Sequence, residues 1–193
     1  MTISRRDVIG IAAAGLAAGA TPAWAQRAPK AAPLTSTLGL DATHYGVRPG
    51  SPDDQTRILQ RALDEAARAS VPLALPPGVY RTGLLNLSNG AQLVGARGAT
   101  KFVFTGGPSL LTAAGANSIG IRDIAFDGGG IALPQRRGLI HCGAGRDIRI
   151  TDCEIAHSGG NGIWFENAAG EVRGNIIRHV ATTAIVSFDA QGL

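Results

Sequence analysis

The sequence is poor in the residues that most often announce a chemistry. Aromatic residues make up 5% of the 193, and the cysteines are two, Cys142 and Cys153. Two thiols cannot make a structural zinc or iron–sulfur motif by themselves. They can form a disulfide outside the cytoplasm or serve as small buried hydrophobes, and the sequence leaves both open. Charged residues are also sparse, at 17%, with a net charge of +4 and no cluster of Lys or Arg. A balance this weak, with so few aromatics, gives no support to nucleic-acid binding. No apolar run reaches the roughly 20 residues needed to cross a bilayer. What is abundant is glycine, at 27 residues.

The opening residues read as an export address. Ser4-Arg5-Arg6-Asp7-Val8-Ile9 sets paired arginines before a short apolar run, Val8 to Ala20. Pro22 and the small-x-small triplet Ala23-Trp24-Ala25 follow, which is the order of a charged region, an apolar region and a cleavage site. The paired arginines point to the twin-arginine (Tat) route. Residues 1–25 are therefore expected to be a Tat signal peptide, recognised by the Tat translocase through Arg5 and Arg6 and cleaved after Ala25. The mature form is then periplasmic or extracellular and does not span a membrane. Residues 26–40, with Pro29 and Pro33 among small and polar residues, are expected to be a flexible linker.

From Asp41 the order of elements becomes specific. Tyr45-Gly46 leads through Pro49-Gly50-Ser51-Pro52 to Asp53-Asp54, which read as capping residues for a helix over about 55–69. Ile58, Leu59, Ala62, Leu63, Ala66 and Ala67 form its apolar stripe, with Arg57, Arg61, Asp64, Glu65 and Arg68 on the wet face. Val71 to Leu75 is a strand candidate, and Pro76-Pro77-Gly78-Val79-Tyr80 turns into another.

Further on the chain repeats itself. Ile150, Cys153 and Ile155 recur 22 residues later as Val172, Asn175 and Ile177, and Ile121 to Phe126 carries the same pattern earlier. Gly162-Ile163-Trp164-Phe165 recurs as Ala184-Ile185-Val186-Ser187, and Gly138-Leu139-Ile140-His141 precedes it by 24. Each unit holds two or three short strands that cannot bury an apolar face alone, so units stack. This predicts an all-β solenoid over residues 41–193, a right-handed parallel β-helix whose open N-terminal end is covered by the amphipathic helix. The chain stops at Gly192-Leu193 in mid-pattern, from which a truncated C-terminal end is expected.

The Tyr45 to Tyr80 block resembles the N-terminal block of pectate-lyase-fold proteins, although Pro49 to Pro52 replaces their usual Gly-Asp-Gly. With Ser4 to Ile9 and the repeats, the chain also resembles a twin-arginine-translocated β-helix repeat family of unknown function. The first resemblance implies action on, or binding of, an acidic polysaccharide by a uronate lyase, epimerase or hydrolase. The other outcome is a non-catalytic cell-envelope module that binds glycan or protein.

Stacking places equivalent residues of successive units side by side, which defines the candidates. Asp123 falls over Asp152, with Glu154 near them, and such carboxylates either cap their own turns, or share a proton, or bind a hard cation such as calcium. His157 falls over His179, with Arg178 adjacent; these are loop residues, a proton-transfer set or a pair that binds a metal. Trp164 is either a sugar-stacking platform or a cover for the core, and Glu154 is its partner in the candidate substrate-binding set. Asn175 is expected to satisfy turn backbone in an internal asparagine ladder.

Overall fold

Side chains on a strand alternate between two faces, and in this chain the inward face is apolar coil after coil. The structure, a computed structural model, describes residues 35–36, 39–190 and 192. The expected signal peptide, with Arg5, Arg6 and Ala25, lies outside the described residues, as does most of the expected linker. Among those described, no helix is long and apolar enough to cross a membrane.

Strands β1 (Thr35–Ser36) and β2 (Gly39–Asp41) pair antiparallel and lead to a 3-10 turn, Ala42–Tyr45. They fall inside or beside the stretch expected to be linker, yet Leu40 is buried and pairs with Leu73. Helix α1 (Thr56–Arg68) follows. Each coil then carries three strands. The first holds β3 (Leu73–Ala74), β4 (Gly78–Thr82) and β5 (Leu85–Asn86). The second holds β6 (Gln92–Val94), β7 (Thr100–Phe104) and β8 (Leu111–Ala114). In the third are β9 (Ile119–Arg122), β10 (Ala125–Asp127) and β11 (Gly138–Gly143). In the fourth are β12 (Ile148–Thr151), β13 (Glu154–Ala156) and β14 (Asn161–Glu166). The last has β15 (Gly170–Arg173), β16 (Ile176–Arg178) and β17 (Ile185–Phe188).

These strands stack into three sheets, parallel from β2 onward: β1-β2-β3-β6-β9-β12-β15, then β4-β7-β10-β13-β16, then β5-β8-β11-β14-β17. The chain is a right-handed parallel β-helix. Ile121, Ile150 and Val172 share one ladder, and Phe102, Phe126, Ile155 and Ile177 another. Tyr80, Phe102 and Phe126 stack through the core with ring centroids 5.8 and 5.7 Å apart. Cys142 and Cys153 are both buried and free, the small-hydrophobe alternative.

Helix α1 covers the first coils with Leu59, Ala62, Leu63 and Ala66. Of the two aspartates expected to cap it, Asp54 accepts from the Thr56 N–H at 2.9 Å, whereas Asp53 bonds only within its own turn, to Ser51. The buried Gln55 amide clamps the Arg48 backbone through both its N–H and its carbonyl, at 2.7 and 2.9 Å.

The repeat alignment needs two corrections. Gly138 pairs with Asn161 rather than Gly162, so that Ile140 meets Ile163 and His141 meets Trp164. One residue of slip exchanges the two faces of a strand, and the corrected register puts His141 outside. Asn175 does satisfy turn backbone, accepting from Cys153 N–H at 2.8 Å and donating to Ile150 C=O at 2.7 Å. It has no ladder, because Cys153 takes the corresponding place one coil earlier.

Candidate functional site

Three groups of polar side chains stand out, each set by stacking. The first lines the turn between the first and second sheets. Asp123, Asp152 and Gly174 occupy this turn in successive coils with φ of 60°, 57° and 68°. A left-handed backbone favours Gly, Asn and Asp, which explains the aspartates without any catalytic demand. Their carboxylates do come together, over a cleft of about 410 Å³ that also includes Glu154. Arg97 joins them: its guanidinium is ion-paired with Asp152 and lies 3.9 Å from Asp123 Oδ1. Arg122 adds a contact to Asp123 at 3.7 Å. Glu154 is in turn ion-paired with Arg178, whose contact with the histidines among the described residues is a backbone one, accepting from the His157 N–H at 3.3 Å. Calcium takes six to eight oxygen ligands, and this set does not fit it: the carboxylates are already met by guanidinium groups. No group of three or more His, Cys, Asp or Glu side chains among the described residues is placed to hold a metal ion.

The second group lies just past the C-terminal ends of strands β13 and β16 of the second sheet. His157 and His179 stack nearly parallel, at 6°, with ring centroids 5.3 Å apart. Both have left-handed backbone, at φ 50° and 52°. Asp127, a residue the repeats did not single out, lies 3.1 Å from His157 Nδ1 and 3.3 Å from Lys101 Nζ. Burial would raise the Asp127 carboxyl, but the Gly129 N–H, His157 and Lys101 outweigh it and hold the carboxyl below its ordinary range. The array is well oriented and lies on an open surface, with His157 half exposed.

The third group is on the outer face of the third sheet. Register brings Asn86, Thr112, His141, Trp164 and Val186 into one outward column. Beside it runs a second column with Gly143, Glu166 and Phe188. His141 is 6% exposed, and its Nδ1 is, among the described residues, the one buried side-chain N or O atom without a hydrogen-bond partner. A buried polar atom left unpaired costs about 1–3 kcal/mol and calls for a reason. Desolvation lowers the His141 pKa, Arg137 lowers it further, and Glu166 opposes them, so the imidazole is held neutral at pH 7.

Trp164 is 8% exposed yet is not part of the core, which its neighbours Ile163 and Phe165 enter. Its indole Nε1 donates to Glu166 Oε2 at 3.3 Å. Arg136 pairs with Glu166 Oε1 at 3.2 Å and lies over the rings of Trp164 and Phe188, at 5.9 and 5.0 Å. Trp164 is therefore an outer-face aromatic roofed by a guanidinium, a third arrangement beside the two expected.

The cations reach this face through the long connection between β10 and β11. That connection is pinned by Gly130 N–H to His157 C=O at 2.8 Å and by a bridge between Ala132 and Gly159. Asn161 then donates to the Arg137 carbonyl at 2.9 Å and accepts from Thr182 at 2.8 Å. The Arg137 guanidinium makes no hydrogen bond or ion pair among the described residues, and its positive charge acts on His141. The sequence repeats could not reveal Arg136, Arg137 or Glu166 as partners. Their contacts depend on a non-repeating loop and on the one-residue register. His141 carried a signal, a histidine on an outward strand position, hidden by the misaligned glycines.

A neutral imidazole beside a bare guanidinium can take a proton from a carbon whose carboxylate the guanidinium neutralises. Glycoside hydrolysis asks instead for two carboxyl groups across one bond. On this face Glu166 is held by Trp164 and Arg136, and no second carboxylate contacts the set among the described residues.

Known structures agree with the fold. A protein of Parabacteroides merdae named as a candidate glycosyl hydrolase superposes with a TM-score of 0.62 at 16% identity, over 78% of this chain and 80% of its own. The A-module of the Azotobacter vinelandii mannuronan C-5 epimerase AlgE4 gives 0.55 at 19% identity, over 78% and 51%. The AlgE6 A-module gives 0.55 at 16%, over 79% and 57%, so the chain spans little more than half of each epimerase module. No protein-family model matches the chain, and neither does any curated protein. At these identities the likeness is one of fold: the chain shares the parallel β-helix of these proteins.

Proposed function

We propose that this chain is an exported β-helix protein that takes an acidic polysaccharide on the outer face of its third sheet. The reaction its geometry supports best is proton abstraction beside a uronate carboxylate, as in a lyase or an epimerase. The observation that carries this reading is His141, buried, neutral and unpaired at Nδ1, with the positive charge of Arg137 acting on it. Arg137 neutralises the substrate carboxylate, and His141, 6% exposed, takes the proton from the adjacent ring carbon once binding has uncovered its ring. The electron pair left behind either expels the neighbouring glycosidic oxygen, which takes the proton back from the His141 imidazolium or from water, or is protonated by water on the opposite face of the ring, His141 then losing its proton to solvent. The first path yields an unsaturated sugar end; the second inverts the centre. Export by the Tat route, from Arg5 and Arg6, is part of the same proposal and places the protein where such polymers occur.

The test uses the purified chain on pectate, alginate and other polyuronates. Ultraviolet absorbance reports new unsaturated ends, a reducing-end assay reports hydrolysis, and proton NMR reports inversion. Activity of either uronate type that His141→Ala abolishes supports the reading. Reducing ends without unsaturation would replace it with hydrolysis. A second reading rests on the roof over Trp164, where Arg136 and Glu166 form a closed set suited to binding without turnover. Saturable polyuronate binding that Trp164→Ala weakens, with no product by any of the three assays, selects that module.

A further inference from the structure

The outward column of the third sheet does not end at Thr112. Its next position, Asn86, opens onto a hollow of about 640 Å³ between β5 and α1, lined by Thr56, Arg57, Gln60, Arg61, Leu84 and Asn86. Gln60 fixes the two elements against each other: its Nε2 donates to the Asn86 carbonyl at 2.9 Å and its Oε1 accepts from the Asn86 N–H at 2.8 Å. Asp64, one turn on, accepts from the same amide at 2.9 Å, and among the described residues no carboxylate is ion-paired with either arginine. Arg57 and Arg61 lie one helical turn apart, both exposed, and neither makes an ion pair or hydrogen bond among the described residues. On an amphipathic helix such cations are commonly paired at i, i+4; here two stay unpaired at the rim of one hollow. The Asn86 side-chain amide has no partner there either.

We propose that this hollow is a distal subsite for an acidic sugar unit of the same polymer, and this rests on the polyuronate reading above. Arg57 and Arg61 take the carboxylate of a unit whose chain continues over Thr112 to His141. Asn86 offers an amide to its hydroxyl groups, and Leu84 gives an apolar floor to the ring face. Asn86 is two rungs from His141, or roughly 10 Å at the usual strand spacing. A single saccharide unit at His141 therefore does not reach the hollow, while a longer oligomer does. The helix that seals the end of the solenoid thus also measures substrate length.

The experiment is calorimetric titration of uronate oligosaccharides of graded length into the wild-type chain and an Arg57→Gln, Arg61→Gln variant. Both arginines are exposed, and circular dichroism with thermal melting checks that the variant folds as the wild type does. In the wild type, affinity is expected to rise once the oligomer is long enough to reach the hollow. The variant is expected to lose about tenfold or more on those long oligomers, as for a charge-assisted contact, and to keep its affinity for the shortest. Neutral oligosaccharides of the same length should not distinguish the two proteins. Equal affinity of both proteins for long uronates would overturn the subsite and leave the His141 site standing. No binding of any uronate by the wild type would overturn both.

Discussion

At the scale of single residues, the most informative is one that the repeats had assigned to the wrong face. His141 is buried, and its pKa in the folded chain is lowered by desolvation first and by Arg137 next. In the unfolded chain the same imidazole titrates near its ordinary value of about 6.5. Between that value and the depressed folded one, the unfolded state binds the extra proton, so acid favours unfolding. The contribution is fully present above about pH 6.5 and is lost as pH falls through the folded pKa. Urea unfolding of the wild type should therefore show a falling midpoint from about pH 7.5 to about pH 5, and His141→Phe should flatten that fall. An equal pH slope in both proteins would show that His141 is not held neutral by the fold. Legibility at this scale was uneven. The pairing of Asp123 with Asp152 and of His157 with His179 followed from the repeat, because equivalent turn residues must stack. Arg97 and Asp127 did not, because each reaches its partner across coils from a position the repeat does not mark.

At the scale of elements, helix α1 was readable almost to the residue, since its stripe and its flanking turn agree with each other. The expected span of 55–69 exceeds Thr56–Arg68 by one residue at each end, where Gln55 and Ala69 are the caps. Gln55 is diverted to bind the backbone of Arg48, which no periodicity announces. The strands were harder, because their register rests on turns of unequal length. Glycine marks those turns for a reason that sequence alone does not show: a Cβ on Gly145 would meet the Ala116 carbonyl oxygen at 2.2 Å, so the coils touch there through bare backbone. The helix is the element whose loss should matter most, as it covers the first coils together with Leu40, Ala42 and Val47. Leu59 is 1% exposed and packs in the core, so Leu59→Ala should cost about 2–5 kcal/mol in a chemical-denaturation measurement. Arg57→Gln on the opposite face should stay within about 0.5 kcal/mol of wild type. A comparable loss for both would mean that the helix contributes through charge rather than through burial.

At the scale of the whole molecule, a solenoid is close to one-dimensional, and its stability is a sum over coils and the contacts between neighbours. The middle coils have neighbours on both sides: β11 lies between β8 and β14, and β12 between β9 and β15. Their inward residues Ile140, Ile150, Ile155 and Ile163 are fully buried. The coil of β15, β16 and β17 has a neighbour on one side only among the described residues. Its inward Ile185, in register with the fully buried Ile163, is 42% exposed, while Ile176 and Phe188, 61% and 44% exposed, stand on outward positions. Phe188 lies under Arg136, which also roofs Trp164, so the candidate site borrows one wall from the last described coil. Local opening should then be graded along the axis, with amides of 170–188 exchanging fastest among the strands and those of 138–166 slowest. Hydrogen–deuterium exchange read by mass spectrometry tests this directly. A ligand that spans His141 and Trp164 should slow exchange in 185–188 as well, because ordering Arg136 steadies Phe188 from above. Uniform exchange over all coils would show instead that the solenoid opens as one unit, and the site would then owe nothing to where it lies along the axis.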